Sequence, residues 1–298
     1  MIKFLLTALL FLTLSATQES ASTKVILIGT AQDGGIPHIG CNQEICRTQK
    51  RFVSSLALIH DRKVYLIDAS PDLRLQYFQL VQKYPDIASK NLFQGIFLTH
   101  AHMGHYAGLL SLGKESISTN KTPAHCSQEM ATYLDANAPW NLLIKNGNID
   151  PKIFRSGDTL DLGFKITPLS VPHRKEFTDT YGFLIRGNTK SLLYIPDIDA
   201  WEPVKEQLYE WLKQSDYALL DGTFYSGDEL PGRDMSKVPH PTIQHSIDFL
   251  KGYEGLKAQI FFTHFNHTNP VLIKDSAEWI NVRKAGFHIA VDWQEFAL

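Results

Sequence analysis

The sequence predicts an α/β fold in a single domain, and three observations support this class. Short apolar, strand-like runs alternate with helical segments in both halves of the chain. Its 298 residues, 44% of them hydrophobic, are enough to bury one large core or two small ones. Residues suited to metal binding or acid–base chemistry repeatedly follow the end of a strand, where α/β sheets place their ligands.

The first half shows apolar runs separated by turn residues and one clear helix start. We predict strands at residues 25–28, 54–59, 64–67 and 95–99. Ser70-Pro71-Asp72 starts a helix that reaches about residue 83, because Ser caps well, Pro fits the first position and an acid suits the first turn. We predict further helical structure after His105 through residue 112 and at 127–134, whereas residues 136–156 show weak periodicity.

The second half carries the same mixture of elements. We predict strands at residues 164–171, 181–186, 192–195, 218–220, 260–263 and 288–291, and helices at 204–212 and 242–250. The stretch from Gly222 to Pro241 is rich in Gly, Pro and Asp, and loops of this length in a compact domain are usually functional. No short-period repeat or low-complexity linker interrupts the chain, so we predict one domain over residues 23–298.

The N-terminus has the composition of a secretory signal peptide. Met1-Ile2-Lys3 carries one positive charge, Phe4 to Leu14 is apolar, and Ser15-Ala16-Thr17 supplies small residues. We therefore predict a signal peptide over residues 1–22 and a mature protein that is secreted or periplasmic; the alternative is an uncleaved membrane anchor. No later apolar run reaches about 18 residues, so we expect no membrane association after cleavage.

The formal net charge of −2 argues against a nucleic-acid partner, because nucleic-acid binders are usually clearly basic. We expect a small-molecule substrate instead. The sequence leaves the oligomeric state open.

Histidines are the main chemical signal of the sequence. The strand that ends at Thr99 leads directly into His100, His102 and His105. Two more, His173 and His264, also follow predicted strands, and neutral imidazole is a common ligand for zinc and other first-row metals. The pattern predicts a metal site; the alternative is a surface loop that is merely rich in histidine.

These residues resemble the pattern of the metallo-β-lactamase superfamily, which has an acid after an early strand, a His-x-His-x-Asp-His motif, a lone His, a lone Asp and a final His. Here they fall on Asp68, His100, His102, His105, His173, Asp197 and His264. The resemblance covers essentially the whole mature chain. It implies an αββα sandwich in which two mixed β-sheets pack face to face, with helices outside and metals at one edge.

Within the superfamily, the chain looks most like the coenzyme PQQ (pyrroloquinoline quinone) synthesis protein B family and its phosphodiesterase relatives. Three segments carry this resemblance: Gly34-Gly35-Ile36-Pro37, Ala69-Ser70-Pro71-Asp72-Leu73-Arg74 and His264-Phe265-Asn266-His267-Thr268-Asn269-Pro270. The last of them is quite specific, whereas the Gly-rich segment alone is weak.

The resemblance implies two metal positions. His100, His102 and His173 would form the first, and His105, His264 and Asp197 would form the second, with Asp197 bridging both. We expect one or two Zn²⁺ ions, with Fe or Mn as alternatives. Gly104 stands where the superfamily has a ligating Asp, which leaves one coordination position vacant for water, His240 or His267. On this interpretation Gly104→Asp would tighten the second metal.

A second departure concerns the cysteines. Relatives hold a structural zinc with Cys-x-Cys-x-x-Cys and a later His, but here Gln43 replaces the middle Cys. Cys41, Cys46 and His267 therefore form either a three-ligand metal site or a Cys41–Cys46 disulfide, which an exported protein permits. Cys126 has no motif and is expected to be a buried small hydrophobe.

Three further residues have open roles. By analogy with the superfamily, Asp68 orients the metal-site loop through hydrogen bonds; the alternative is a helix-capping or turn Asp. Asp221 either supports a ligating histidine or shapes a turn. His240 is a candidate general acid, although an ordinary solvated histidine is the more common case.

The leading functional prediction is an exported metal-dependent hydrolase. Metal-bound hydroxide would attack an ester, lactone, β-lactam or phosphodiester, and Asp197 would orient or deprotonate the water. One alternative is a protein related to PQQ biosynthesis that acts on or carries a quinone precursor, although the leader argues against it. Another is a non-catalytic metal- or ligand-binding protein, for which Gly104 is the support.

Overall fold

The computed structural model describes residues 22–87, 92–230, 232–234, 237–253 and 255–298. The predicted signal peptide lies outside this part of the chain, apart from Ser22. Among the described residues, no helix combines the length and hydropathy that crossing a bilayer requires.

Two seven-stranded sheets form the centre of the domain. In spatial order the first sheet is β14 (Glu295–Ala297), β1 (Lys24–Gly29), β2 (Ser55–His60), β3 (Lys63–Ile67), β4 (Gly95–Phe97), β5 (Thr122–Cys126) and β6 (Ile149–Ile153). The second is β13 (His288–Ile289), β12 (Gln259–Thr263), β11 (Tyr217–Asp221), β10 (Ser191–Ile195), β9 (Thr180–Arg186), β8 (Lys165–Val171) and β7 (Leu160–Asp161).

Helices connect the strands and cover the sheets. They are α1 (Glu44–Thr48), α2 (Leu73–Lys83), α3 (Met103–Tyr106), α4 (Gln128–Ala136), α5 (Trp140–Lys145), α6 (Lys205–Lys213), α7 (Ile243–Leu250) and α8 (Ala277–Lys284). Short 3-10 helices lie at Pro85–Ile87, Ala107–Leu112, Glu202–Val204 and Pro270–Leu272. Ser127, Thr242 and Ser276 cap α4, α7 and α8 by accepting a hydrogen bond from the backbone N–H three residues later.

Both sheets have the same internal plan. Strands β1, β2 and β3 pair antiparallel, and β3 to β6 then run parallel. Likewise β7 to β10 pair antiparallel, and β10 to β13 run parallel. Parallel strands end at the same edge of a sheet, so side chains that follow β3, β4, β10, β11 and β12 are brought to shared edges.

Successive side chains along a strand point to opposite faces of the sheet, and the buried ones form two separate cores. Val25 and Leu27 of β1 join the core between the sheets, whereas Ile26 and Ile28 join the core beneath the helices of the first sheet. Across the interface, Phe97 of β4 meets Phe183 of β9 edge-to-face, with ring centroids 5.8 Å apart. Because β1 is buried on both faces, its sequence reads as a continuous apolar run.

The architecture confirms the predicted fold class: two mixed sheets packed face to face, with helices outside. The weakly periodic segment 136–156 contains α5 and β6. The predicted strand at 288–291 is shorter, and the helix predicted after His105 divides into α3 and a 3-10 helix. The helix start at residues 70–72 differs in detail, since the Ser70 hydroxyl accepts the Asp72 N–H and donates to Gln76 Oε1.

Candidate metal centre

The site lies where strands of both sheets end at one edge. The loop after β4 and the first turn of α3 carry His100, His102 and His105. Asp68 directly follows β3, and His264 directly follows β12. Asp197 and His173 each come two residues after a strand, β10 and β8 respectively. All seven predicted residues are buried, and the structure brings them together: Asp68, His100, His102, His105, His173, Asp197 and His264.

Three histidines and one carboxylate converge at the first metal position. His102 Nδ1 lies 2.9 Å from His100 Nε2 and 3.0 Å from His173 Nε2. Asp197 Oδ2 lies 3.3 Å from His100 Nε2 and 3.2 Å from His173 Nε2. All four ligand atoms fall within 4.8 Å of one another, which is the spacing of a shared cation site.

A second group of ligand atoms lies on the other side of Asp197. It consists of Asp33, His105 and His264, whose ligand atoms are also within 4.8 Å of one another. Asp33 Oδ1 is 3.5 Å from His105 Nε2 and 3.8 Å from His264 Nε2. Asp197 Oδ2 is 3.8 Å from His105 Nε2, so this carboxylate stands between the two groups.

Carboxylates fix the tautomers of three histidines, because a carboxylate can only accept. His173 Nδ1 donates to Asp199 Oδ1 over 2.7 Å. His102 Nε2 donates to Glu176 Oε2 over 3.0 Å, and His105 Nδ1 donates to Asp68 Oδ2 over 2.7 Å. In the neutral imidazoles, the remaining nitrogen of each ring therefore points a lone pair into the site.

Threonine hydroxyls fix the other two histidines. Thr99 Oγ1 donates to Asp68, so it accepts from His100 Nδ1 at 3.0 Å. Thr223 Oγ1 donates to Asp221 Oδ1 over 2.7 Å, so it accepts from His264 Nδ1 at 3.0 Å. The Nε2 lone pairs of His100 and His264 therefore also face inward, held by a carboxylate acting through a threonine.

Inward lone pairs and carboxylates repel one another unless positive charge lies between them. His105 Nε2, His264 Nε2 and Asp33 Oδ1 are buried without a hydrogen-bond partner, as is Asp197 Oδ1. Five imidazoles and two carboxylates form a nitrogen and oxygen donor set that suits Zn²⁺, Fe²⁺ or Mn²⁺. The residues present therefore fit the divalent metal that the sequence predicts.

Charge interactions shift the pKa values of the site. Burial lowers the pKa of His100 well below its ordinary value, with the neighbouring His105 adding to the effect. Burial also opposes a charge on His105, but the carboxylates of Asp68 and Asp33 outweigh it and raise its pKa to about 9. Burial would raise the pKa of Asp197, yet His173 and His100 hold it well below the usual range. A metal that binds here must displace the His105 proton.

His240 lies beside the site and is not the solvated histidine that its loop position favoured. It is buried, its Nδ1 is 2.9 Å from Asp221 Oδ2, and the same nitrogen is 3.4 Å from Asp197 Oδ1. Burial lowers its pKa, but Asp221 and Asp197 outweigh burial and raise that pKa to about 9. Asp221 thus both supports His240 and anchors Thr223, beyond a simple turn role.

Two site residues have left-handed backbone conformations. Asp68 has φ +66° and His264 has φ +62°, which is uncommon for residues other than glycine. Such conformations cost of order 1–3 kcal/mol and persist only where surrounding contacts determine them. Here they turn both side chains into the site that lies at the strand ends.

Sequence reasoning missed Asp33. It lies in the turn-rich loop after β1, the same strand-end placement that identified the other ligands. Asp33 packs against Gly104, which is 71 positions away in the sequence. No local pattern reveals packing between segments so far apart. Neither His267 nor His240, the two residues considered for the vacant position, belongs to the group around His105 and His264 among the described residues.

The cysteines form a disulfide rather than a three-ligand metal site. Cys41 and Cys46 are joined, with their Cα atoms 6.2 Å apart. His267 stacks on His38 instead, with ring centroids 4.2 Å apart. Cys126 is free and buried.

With fold and site in place, sequence comparison identifies the class of protein. The profile of the family described as "Beta-lactamase superfamily domain" matches residues 63–265, more than half of the chain. The chain therefore belongs to the metallo-β-lactamase superfamily.

Comparison with individual relatives shows which members of the superfamily this chain resembles. The chain is 28% identical over 308 residues to coenzyme PQQ synthesis protein B of Methylobacterium radiotolerans, covering 92% of this chain and all of that protein. The zinc-bound PqqB structure from Methylobacterium extorquens superposes with a TM-score of 0.79 at 25% identity, covering 92% of this chain and 100% of the other. A diphosphatase of the PhnP family shares the fold, with a TM-score of 0.67 at 21% identity over 93% and 97% of the two chains.

Proposed function

We propose that the protein is a metal-dependent hydrolase. The observation that carries this proposal is the inward orientation of five imidazole lone pairs, each fixed by a carboxylate directly or through a threonine. A site that only stabilised the fold would have its polar atoms paired with one another. Here the unpaired atoms converge behind His240, which contacts Asp197 and lines a surface cavity, and metal-assisted hydrolysis needs such an approach for substrate.

His100, His102 and His173 would hold a cation at the first position, next to Asp197. Bound there, a divalent metal would supply Lewis acidity for water activation and for stabilising developing negative charge. Zinc is our first assignment, on the donor set and on the zinc-bound relative. Asp199 and Glu176 hold the His173 and His102 rings in the ligating orientation.

We assign proton transfer to His240 and orientation of the water to Asp197. Asp197 Oδ1 faces His240 Nδ1 at 3.4 Å and has no hydrogen-bond partner among the described residues. In the site without metal, Asp221 and Asp197 outweigh burial and raise the pKa of His240 to about 9, so these carboxylates favour the imidazolium form that gives a proton to a leaving group. Asp221 holds its imidazole from the other side.

The cavity beside His240 supports a proposal for the substrate class. Its volume is about 370 Å³, and its wall includes Arg174, Arg233 and His240. It also includes one carboxyl group, Glu229, whose pKa burial raises to about 7. Arg174 Nε is buried without a hydrogen-bond partner. Guanidinium groups recognise phosphate and carboxylate through directed hydrogen bonds, so we propose a substrate that carries an anion near the scissile bond. Among the classes that the sequence allows, this favours a phosphodiester over a neutral ester, lactone or uncharged lactam.

A substrate panel tests this proposal. Zinc-loaded protein should accelerate hydrolysis of bis(p-nitrophenyl) phosphate over the uncatalysed reaction by a larger factor than that of neutral p-nitrophenyl acetate, and His102→Ala should abolish turnover. A chromogenic β-lactam, which carries a carboxylate, is the second anionic substrate of the panel. Arg174→Gln should raise the KM for the phosphodiester about tenfold or more, since a charged hydrogen bond contributes about 1.5–3 kcal/mol. It should leave the residual turnover of the neutral ester unchanged. Zinc-loaded protein that turns over none of these substrates would refute the hydrolase assignment for these classes.

A second candidate function follows from the relatives. The similarity to PQQ synthesis protein B, spanning 92% of this chain, favours a protein that acts on or carries a quinone precursor. A metal-loaded protein that perturbs the absorbance of a quinone at stoichiometric amounts, yet hydrolyses nothing in the panel, would favour this candidate. A purely non-catalytic protein would bind metal and neither quinone nor substrate.

We further propose that the protein is exported. The charged start and apolar core of residues 1–22 support this, and so does the Cys41–Cys46 disulfide, because disulfides persist in oxidising compartments. Fractionation of the native host should recover a shortened chain outside the cytoplasm. An intact form that starts at Met1 in the cytoplasm would contradict this.

A further inference from the structure

We propose that Asp33 supplies the carboxylate ligand that Gly104 lacks, so that the second metal position is complete. The inference rests on the metal binding of the proposed function, but not on any activity. The sequence motif predicts a vacancy at this position. The structure places a carboxylate there from a different segment of the chain, the loop after β1.

The packing around Gly104 places the Asp33 carboxyl where a side chain of residue 104 would lie. A Cβ built on Gly104 would lie 2.1 Å from Asp33 Oδ1 and 2.9 Å from Asp33 Cα. The Asp33 carboxyl therefore occupies the space that a side chain at position 104 would need. The two positions are complementary: a carboxylate from one excludes a side chain at the other.

The distances to the histidines are the second argument. Ligands bonded at 2.0–2.2 Å to a tetrahedral zinc lie about 3.3–3.6 Å from one another. The separations of Asp33 Oδ1 from His105 Nε2 and His264 Nε2, 3.5 and 3.8 Å, are close to this spacing. They are longer than good hydrogen bonds, and all three atoms are buried without a partner. A cation at their centre would satisfy all three.

The Asp33 loop is held in place against the His264 segment. Gln32 N–H donates to Phe265 O over 2.8 Å, and Phe265 N–H donates to Thr30 O over 2.8 Å. The side chains of Asn266 and Gln32 are also hydrogen-bonded. Asp33 and His264 are therefore positioned by one set of backbone contacts before any metal arrives, which reduces the ordering cost of binding.

This arrangement overturns the expectation for Gly104→Asp. A carboxylate introduced at position 104 would collide with Asp33 rather than fill a vacancy. The single substitution should therefore weaken the second metal. The same substitution combined with Asp33→Gly should accommodate the new carboxylate, because the obstructing side chain is gone.

Zinc stoichiometry and stepwise affinity test the inference. We would titrate full-length mature protein with zinc against a chromophoric chelator, for the wild type, Asp33→Asn, Gly104→Asp and Asp33→Gly/Gly104→Asp. Asp135→Asn, an exposed carboxylate on α4, is the matched control. Thermal unfolding of each apo-protein checks that the fold is retained.

The wild type and control should bind two equivalents. Asp33→Asn and Gly104→Asp should each keep the first and lose at least tenfold in affinity for the second, and the double variant should recover most of that loss. A folded Asp33→Asn protein with both affinities of the wild type would overturn the inference, as would a folded double variant that binds no better than Gly104→Asp. A wild type that binds no zinc would instead refute the proposed function itself.

Discussion

Asp68 and Asp199 allow the two metal positions to be perturbed to different extents. Asp68 Oδ2 accepts from His105 Nδ1, while its Oδ1 accepts from the backbone N–H and hydroxyl of Thr99 at 2.8 and 2.9 Å. Asp68→Asn preserves size and tolerates the left-handed backbone, but an amide has one accepting oxygen. Either His105 or the Thr99 N–H must lose its partner.

The structure sets the size of the effect. Losing one hydrogen bond to a charged group costs about 1.5–3 kcal/mol, which corresponds to about a 10- to 150-fold loss of zinc affinity. We expect the larger loss at the second position, where His105 contacts Asp68 directly, and a smaller one at the first, where Asp68 fixes His100 only through Thr99. Asp199→Asn should act at the first position through His173 Nδ1, and less strongly, since the Asp199 side chain is 30% exposed.

Stepwise zinc affinities, measured by chelator competition, check this prediction. Asp68→Asn and Asp199→Asn should weaken mainly different steps, and the double variant should be weaker than the wild type at both. If both single variants weaken the same step, and the double variant is no worse than either, the two-position description is wrong. Full wild-type affinities in Asp68→Asn would show that Asp68 does not orient His105.

Three other predictions concern stability and metal removal. His125 is buried against Phe97. Burial, aided by the positive charge of Lys152, lowers its pKa from 6.5 to about 4. Between those pH values the unfolded state binds more protons than the folded state, so acidification should remove up to about 3 kcal/mol of stability. His125→Phe should flatten that part of the pH–stability curve relative to the wild type, and an unchanged slope would contradict the assignment. Replacing Cys41 and Cys46 by Ser should lower the unfolding free energy by about 2 kcal/mol, because the disulfide closes only a short loop in the unfolded chain. Zinc stoichiometry should not change, and a lost zinc equivalent would restore the structural-zinc interpretation. Chelation at pH 7 should lower the melting temperature of the wild type and leave that of His102→Ala less affected, and equal shifts would place the stabilising metal elsewhere.

The fold was predictable because its signals are local. Buried strands read as apolar runs, and Ser127 and Thr242 mark helix starts that the structure reproduces. Most of the ligand set was predictable for the same reason, because histidines that directly follow an apolar strand can be recognised in the sequence. The segment at 136–156 gave no usable period, since α5 and β6 are short and α5 is only partly buried.

What the sequence left out depends on contacts between distant segments. Asp33 fills the space over Gly104 only because the loop after β1 packs against both α3 and the His264 segment. His240 is buried beside Asp221 and Asp197, which lie at neighbouring strand ends and are distant from it in sequence. A motif read along the chain could show that a ligand was missing at position 104, but not that another segment provides it.

The most direct test of this account is the structure of the zinc-loaded protein, with the metals located by anomalous scattering. We expect two zinc peaks. One should lie within about 2.0–2.2 Å of the His100, His102 and His173 ring nitrogens, and the other at the same distance from His105 Nε2, His264 Nε2 and Asp33 Oδ1. A single peak, or a second peak whose ligands do not include Asp33, would contradict it.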